Sequence, residues 1–294
     1  MSAVRIAVAI ATAGRRDFVT GVIARIAGQS RSPDFIAVCP ARPDDVDRAA
    51  LSGMGVTVTE GPMGLCAQRN ALFRHLEQAD IILFLDDDFV MAADYVERCV
   101  ALFEQHPDIV MTTGAVIADG ILGPGLTFEE ADRLIAADHG PTAPARLAEV
   151  YNGYGCNMAI RMAPVRAAGL AFDENLPFYG WLEDVDFSRR LAAHGRIVRS
   201  EACRGVHMGV KRGRSPGTRL GYSQIANPVY MWRKGTLSGS RACAQMGRNI
   251  AANLSKSLNP EPWVDRGGRT RGNLLALTDL LRGRIAPQRA AELN

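Results

Sequence analysis

The chain has 294 residues, of which 47% are hydrophobic and 22% are charged at neutral pH. This composition is typical of a globular protein with a packed core and excludes an intrinsically disordered chain. No apolar stretch reaches the length that a bilayer-spanning helix needs, so we expect a soluble or peripheral protein.

Charge is distributed unevenly along the chain. Residues 1–203 contain 18 Lys and Arg against 27 Asp and Glu, whereas residues 204–294 contain 16 against 4. The basic segment is either a solvated face or a binding surface for an anionic partner, such as a membrane, a pyrophosphate or a nucleic acid. The six cysteines form no C-x-x-C pair, which indicates reduced thiols in the cytoplasm and neither a zinc site nor a redox motif.

The first part of the chain alternates between apolar strands and amphipathic helices. The run Val4–Ala11, ending at Thr12-Ala13-Gly14, predicts a buried parallel strand. In chain order there follow a helix at Phe18–Ala27, strands at Phe35–Cys39 and Val56–Thr59, a helix at Cys66–Gln78, a strand at Ile81–Leu85, a helix at Tyr95–Phe103 and a strand at Ile109–Ala118. This alternation predicts an α/β fold with a Rossmann-like, mostly parallel sheet and flanking helices.

The second part becomes increasingly helical. The predicted elements are a helix at Phe128–Ala137, a strand at Asn157–Arg161, a helix at Asp184–Ala193, a strand at Arg196–Arg199, and basic amphipathic helices at Tyr222–Leu237, Arg241–Ser255 and Asn273–Leu281. We therefore expect one α/β domain over residues 1–220, with a basic helical extension over residues 221–294 packed on it.

Three consecutive aspartates, Asp86, Asp87 and Asp88, follow the apolar strand that ends at Leu85. Adjacent carboxylates repel one another unless a cation neutralises them, and hard divalent ions take carboxylate and phosphate oxygens as ligands. Asp86 and Asp88 lie on the same side of an extended chain, so this pair can serve one ion. The alternative is a cluster that caps the start of the following helix.

Two further segments carry candidate functional residues. Aromatic residues around Trp181 precede the carboxylates Glu183 and Asp184, which is typical of a sugar-stacking surface beside a general base, or of a helix cap with packed aromatics. His207 lies between glycines and is followed by Lys211 and further arginines. A histidine joined to a carboxylate site can complete a metal shell, and the basic residues suit a pyrophosphate.

Together these motifs resemble the family 2 glycosyltransferases, which are inverting enzymes with the GT-A fold. The resemblance extends from Val4 to Lys234 and includes, in order, Ile10–Arg15, Gly64 with Arg69-Asn70-Ala71, the aspartates 86–88, Gly155–Met158 and Glu183-Asp184-x-Asp186. One departure lies after the second strand, at Val38–Asp45, where the acidic residues come late and no Gly-Ser turn is present. The nucleotide therefore stays open.

The resemblance implies roles in donor binding. Ala11, Thr12 and Arg15 would border the nucleoside, and Arg69 would reach the donor. Asp86 would lie near the ribose and the metal, and Asp88 and His207 would ligate Mn²⁺ or Mg²⁺. Asp87 and Lys211 are further candidates for substrate binding.

The resemblance also implies roles at the acceptor. Asp184 would be the general base, with Glu183 and Asp186 as substitutes. Trp181 and Glu183 would shape the acceptor site.

The expected function is sugar transfer from a nucleotide-diphosphate sugar to an acceptor hydroxyl. The acceptor would be a saccharide or lipid-linked saccharide of cell-surface polysaccharide synthesis, reached from the cytoplasm, with peripheral contact at an anionic inner membrane face and no nucleic-acid partner. One alternative is a non-catalytic, metal-dependent carbohydrate-binding protein. The other is a nucleotidyl- or phosphoryl-transfer enzyme that uses the same aspartates, although residues 11–17 lack the lysine of a nucleotidyltransferase loop.

Overall fold

Strands and helices alternate along the computed structural model, which describes residues 3–141 and 145–293. These residues form two units. The first contains the described residues up to Met63, then Ala67–Ala171 and Arg190–Gly213, and the second contains Gly64–Cys66, Phe172–Arg189 and the residues from Arg214 onward. The α/β fold with a helical, basic C-terminal region is confirmed, whereas the domain boundary at residue 220 stays a prediction.

The strands are β1 (Ile6–Thr12), β2 (Phe35–Pro40), β3 (Val56–Val58), β4 (Ile81–Asp86), β5 (Phe89–Met91), β6 (Ile109–Asp119), β7 (Leu147–Glu149), β8 (Asn157–Arg161) and β9 (Arg196–His207). The helices are α1 (Arg16–Ile26), α2 (Arg48–Leu51), α3 (Leu65–His75), α4 (Tyr95–Gln105), α5 (Phe128–Ala137), α6 (Met162–Ala167), α7 (Glu183–Leu191), α8 (Gly217–Lys234), α9 (Gly239–Lys256) and α10 (Arg266–Leu281). None of the helices in these described residues has both the length and the apolarity of a bilayer-crossing segment.

The sheet of the first unit has the strand order β3-β2-β1-β4-β8-β6-β9-β5, with β7 paired to β9. Strands β3, β2, β1 and β4 are mutually parallel, and β6 is parallel to β9. Strand β8 lies antiparallel between β4 and β6. The central strands are buried on both faces, which explains their continuous apolar sequences.

Strand register brings the ends of several strands to one edge of the sheet. Ala11 of β1 pairs with Asp86 at the end of β4. At the end of β9, His207 pairs with Phe89 of β5 on one side and with Asp119 of β6 on the other. The aspartates 86–88, which separate β4 from β5, therefore lie at the same edge as His207.

Strand β9 is three times as long as the predicted strand Arg196–Arg199. Polar residues and Gly205 interrupt the apolar pattern after Arg199, and the pairing with β6 contains irregularities there. Short strands β5 and β7, of three residues each, were also not predicted.

In the second unit, helices α8 and α10 approach each other closely. A side chain at Gly221 would meet the carbonyl oxygen of Arg269, and one at Gly272 would meet that of Thr218. Asp265 caps α10 by accepting a hydrogen bond from the backbone N–H of Gly268. Helix α10 therefore begins seven residues before the predicted start at Asn273, in a glycine-rich stretch of low helix propensity.

Candidate active site

The three predicted metal ligands, Asp86, Asp88 and His207, lie together in the first unit. Each offers one ligand atom, and these atoms all lie within 4.8 Å of one another. His207 Nε2 is 3.4 Å from Asp88 Oδ1 and 3.9 Å from Asp86 Oδ2. Two carboxylates and an imidazole form a donor set that suits a divalent cation.

Asp88 provides the observation that best fits a cation. Its Oδ1 atom is buried and has no hydrogen-bond partner, although its other oxygen accepts a hydrogen bond from the backbone N–H of Val210 at 2.7 Å. The nearest cationic group to this oxygen is His207 Nε2 at 3.4 Å, and a buried carboxylate oxygen without a hydrogen bond is well suited to bind a cation. The residues present therefore fit a divalent ion held by Asp86, Asp88 and His207.

Asp87 is engaged differently from its two neighbours. Its Oδ2 accepts a hydrogen bond from Thr12 Oγ1 at 2.6 Å, and its Oδ1 accepts one from the Arg15 guanidinium at 2.7 Å. Arg15 also lies 3.2 Å from Asp88 and donates to the carbonyl oxygens of Val210 and Arg212. Arg15 thus joins the loop after β1 to the aspartates and to the segment after β9.

Burial raises the pKa of Asp86 and Asp87, whereas Asp88 and His207 favour their charged forms. Burial alone would raise the pKa of Asp88, but contacts with His207 and Arg15 outweigh it and hold that pKa below its ordinary value. Burial would lower the pKa of His207, yet the carboxylates of Asp119 and Asp88 raise it to about 10. A cation that binds His207 Nε2 therefore has to displace a proton.

Two residues that the sequence did not single out contact His207 from the opposite side. Asp119 Oδ1 is 2.9 Å from His207 Nδ1, and Tyr154 donates a hydrogen bond from its hydroxyl to Asp119 Oδ2 at 2.9 Å. Asp119 is the last residue of β6. Its position as an acidic residue at the carboxyl end of a predicted strand could have marked it as a candidate site residue. Its pairing with His207, 88 residues away, depends on register that the sequence does not reveal.

Gln68 and Arg69, in the first half of α3, contact the same strand ends. The Arg69 side chain is only 2% exposed, donates to the carbonyl oxygen of Gly155 at 2.9 Å and lies 3.7 Å from Asp86 Oδ1. Gln68 donates to the carbonyl oxygens of Thr12 and Cys39, and so joins the ends of β1 and β2. Arg69 is thus near the aspartates, while its predicted contact with the donor stays a prediction.

Lys211, and Asp45 among the acidic residues that follow β2, each form hydrogen bonds with backbone groups of other loops. The Lys211 ammonium donates to the carbonyl oxygens of Gly120 and Ile121, at 3.0 and 2.8 Å. Asp45 accepts a hydrogen bond from the backbone N–H of Gly14 at 2.8 Å, and so contacts the turn after β1. The predicted substrate contacts of Lys211 and of half-buried Ala11 stay predictions.

The predicted acceptor-site residues, Trp181, Glu183 and Asp184, belong to the second unit. The backbone before them is strained, because Phe178 and Leu182 have left-handed φ angles of 55° and 71°. Strain of this kind persists where the surrounding structure holds it, often at functional sites.

The same segment exposes aromatic surface. Tyr179 is exposed, and its ring lies 6.4 Å from that of Trp181, whose Nε1 atom is buried without a hydrogen-bond partner. These rings line a small depression together with Pro177, Phe178, Gly180, Ser215, Arg219, Leu220 and Ser223. Aromatic rings beside a surface depression are suited to the apolar faces of a sugar.

The carboxylates of the second unit differ in burial. Glu183 is buried, whereas Asp184 is partly exposed, and one Asp184 oxygen accepts a hydrogen bond from the backbone N–H of Val185. Asp186 is fully buried and accepts hydrogen bonds from Lys234 and Thr236. Asp184 is therefore the most accessible of the three candidates for a base.

A sequence comparison decides the family. The model named Glycosyl transferase family 2 matches residues 8–165, which is more than half of the chain. The chain belongs to this family. The match includes Thr12, Arg15, Arg69 and the aspartates 86–88, and it ends before Asp184 and His207. Membership confirms the predicted resemblance and the glycosyltransferase class of enzyme.

Solved structures share the fold at low sequence identity. GalNAc-T7, solved with UDP, GalNAc and Mn²⁺, has a TM-score of 0.58 and 14% identity, and the match covers 99% of this family 2 chain and 56% of GalNAc-T7. Residues 1–349 of TarS from S. aureus, in complex with UDP-GlcNAc, give a TM-score of 0.57 and 16% identity, with 98% and 83% coverage. This chain therefore spans little more than half of GalNAc-T7. No curated protein matches it in sequence.

Proposed function

We propose that this family 2 glycosyltransferase transfers a sugar from a nucleotide-diphosphate sugar to an acceptor hydroxyl, with inversion at the anomeric carbon. The observation that carries the proposal is the buried Oδ1 of Asp88, which accepts no hydrogen bond and lies beside Asp86 and His207 at the edge of the sheet. Ligands in α/β sheets bind at the carboxyl ends of strands, where this cluster lies. Mn²⁺ or Mg²⁺ is the ion whose ligand preferences match it.

The donor is a nucleotide-diphosphate sugar, and a UDP-sugar is the first to test, since GalNAc-T7 and TarS were solved with UDP or UDP-GlcNAc. Thr12 and Arg15 border the nucleoside in this proposal, and Arg69 reaches the donor. Lys211 and Asp87 complete the substrate contacts. When bound, the divalent ion offsets negative charge on the diphosphate.

Asp184 is the proposed general base. It takes the proton of the acceptor hydroxyl while the acceptor oxygen bonds to the anomeric carbon and the bond from that carbon to the diphosphate oxygen breaks. A single displacement from the face opposite the leaving group inverts the anomeric configuration. Trp181 and Glu183 shape the acceptor site through ring stacking and hydrogen bonding.

Donor binding is tested by thermal unfolding with a panel of nucleoside diphosphates and nucleotide-sugars, with Mn²⁺ or with EDTA. A ligand at one hundred times its Kd adds about 2.7 kcal/mol to the free energy of unfolding, which raises the Tm of a chain of this size by roughly 5 °C. We expect that increase for one diphosphate class with Mn²⁺ and a much smaller one with EDTA. If no diphosphate raises the Tm, the donor proposal is wrong.

The products of turnover separate the alternatives. Release of a nucleoside diphosphate together with a glycosylated acceptor supports the proposed reaction. Release of a monophosphate or of pyrophosphate would indicate phosphoryl or nucleotidyl transfer, and binding without release would indicate a carbohydrate-binding protein.

The proposed acceptor is a saccharide or lipid-linked saccharide at an anionic membrane surface on the cytoplasmic side, as in polysaccharide synthesis. Positions Arg271, Leu274 and Leu281 fall on one exposed face of α10, with Arg282 directly after the helix, and Leu274 and Leu281 are 59% and 90% exposed. The one acidic residue of α10, Asp279, is buried and paired with Arg284. Leucine beside arginine without exposed acid is typical of a helix that lies in a lipid interface.

Vesicle flotation tests this surface. We expect the protein to float with vesicles that contain phosphatidylglycerol at low salt and to dissociate at high salt, since each surface-bound Lys or Arg contributes about 1 kcal/mol. The Leu274→Ser/Leu281→Ser variant should bind about tenfold more weakly, because its exposed apolar groups no longer leave water. Leu122→Ser, which changes an 84% exposed leucine of the first unit, is the control. Equal flotation of both variants, or none by the parent protein, would refute the surface.

A further inference from the structure

His207 is fixed on the side that faces away from the aspartates 86 and 88. Its Nδ1 atom lies 2.9 Å from Asp119 Oδ1, and its Nε2 atom is the one that lies near Asp88 and Asp86. The Asp119 carboxylate is itself held, because Tyr154 donates to its Oδ2 and the backbone N–H of Ile121 donates to its Oδ1. The arrangement is a chain of contacts that runs from Tyr154 through Asp119 to the imidazole.

The tertiary structure fixes this chain at both ends. Asp119 and His207 are paired residues at the ends of two neighbouring parallel strands, so the backbone sets the distance between them. The ring of Tyr154 also packs edge-on against the His207 ring, with 5.9 Å between ring centroids. The imidazole therefore has both its rotation and its hydrogen-bonding nitrogen set before any ligand binds.

A carboxylate behind a metal-binding histidine has two effects. It accepts the hydrogen on one ring nitrogen, so that the other nitrogen presents its lone pair to the ion, and it raises the basicity of the ligand. Loss of such a partner typically weakens metal binding 10- to 100-fold. Nothing else in the described contacts of Asp119 requires a negative charge, since Tyr154 and Ile121 are neutral donors.

We propose that Asp119, held by Tyr154, is a positioning residue. It directs His207 Nε2 toward the ion, so that His207 can serve as the nitrogen ligand of the site. The proposal rests on the proposed function in one respect, namely that Asp86, Asp88 and His207 bind a divalent cation. It goes further by assigning the orientation of the nitrogen ligand to two residues outside the cluster of ligand atoms.

A consequence is that Asp119 matters most for ions that favour nitrogen ligands. Co²⁺ binds imidazole well, whereas Mg²⁺ prefers oxygen ligands and keeps several waters. Disorder of His207 should therefore weaken Co²⁺ binding far more than Mg²⁺ binding. A purely structural role for Asp119 would weaken both ions equally.

The experiment titrates the full-length protein with Co²⁺ and, separately, with Mg²⁺, in the presence and absence of UDP. Calorimetry gives the affinities, and the visible absorption of Co²⁺ reports the nitrogen ligand. For Asp119→Ala we expect a 10- to 100-fold loss of Co²⁺ affinity with an altered absorption spectrum, and a loss of Mg²⁺ affinity of less than threefold. Asp119→Asn keeps an oxygen acceptor for the imidazole N–H and should lie between Asp119→Ala and the parent protein.

Tyr154→Phe removes the hydroxyl that holds Asp119 and should weaken Co²⁺ binding less than tenfold. Asp132→Asn makes the same charge change in the same unit at a carboxylate paired with Arg25, and it should leave both affinities unchanged. These conservative variants keep the test decisive if Asp119→Ala fails to fold.

A selective loss of Co²⁺ affinity in the Asp119 variants supports the proposal. Equal losses for the two ions, unchanged Co²⁺ affinity, or failure of the parent protein to bind Co²⁺ would each overturn it. Sugar transfer measured in the same preparations judges the proposed function separately, since a working transferase with an unaffected Asp119→Asn variant would retain that function and lose only this inference.

Discussion

Replacement of Asp184 by asparagine is expected to lower the rate of sugar transfer by a factor of roughly 10² to 10⁴, the usual contribution of a general base. Asparagine has the same shape and can still accept the hydrogen bond from the backbone N–H of Val185, so the start of α7 should remain intact. The amide cannot take the acceptor proton. The measurement is the initial rate at saturating donor and acceptor.

Donor affinity serves as the internal control for this variant. Because Asp184 acts on the acceptor in the proposed reaction, the rise in Tm that the donor causes should match that of the parent protein. Glu183→Gln is the matched comparison, since it makes the same chemical change one residue earlier at a buried side chain. Full activity of Asp184→Asn combined with an inactive Glu183→Gln would transfer the role of base to Glu183.

Replacement of Asp88 by asparagine is expected to weaken Mn²⁺ binding at least 100-fold and to remove nearly all transfer activity. One oxygen of this side chain accepts from Val210 and faces Arg15, while the buried Oδ1 lies without a hydrogen-bond partner near His207. Asparagine can keep its oxygen toward Val210, and it then presents an NH₂ group where the ion needs an oxygen. Calorimetric titration with Mn²⁺ measures the effect.

Asp87→Asn is the control for that prediction, because it removes the same charge at the adjacent position. Both oxygens of Asp87 already accept hydrogen bonds from Thr12 and Arg15, and Asp87 does not belong to the cluster of converging ligand atoms. We expect Mn²⁺ affinity within a few-fold of the parent protein, together with a lower Tm from the weakened contact with Arg15. Comparable Mn²⁺ losses in Asp87→Asn and Asp88→Asn would contradict the assignment of ligands.

The central strands and the aspartate cluster could be predicted from the sequence because their signals are local. The run that becomes β1 is largely apolar and ends at a turn. Three consecutive aspartates follow the apolar run of β4, and such a cluster is recognisable without knowledge of the fold. Helix α4 likewise carries its apolar residues at helical spacing. Each of these patterns lies within about twelve residues.

The contacts that complete the cluster could not be predicted, because they depend on which strands become neighbours. His207 was a candidate from its flanking glycines, but Asp119 and Tyr154 carry no local signal that links them to it. Parallel pairing of β6 with β9 brings Asp119 beside His207. Strand order and register are properties of the whole sheet, and a single sequence contains little direct information about them.

The contacts of Arg15 bear on how the proposed metal site would exchange its ion. Arg15, Arg69 and a protonated His207 already face the carboxylates of Asp86, Asp87 and Asp88 when no metal is bound. These counter-charges allow the acidic loop to stay folded on its own, unlike a zinc finger that collapses when its metal is removed. If the proposed ion binds here, its departure would leave a loop whose carboxylates are already balanced by these cations, so ion exchange would not require the site to refold.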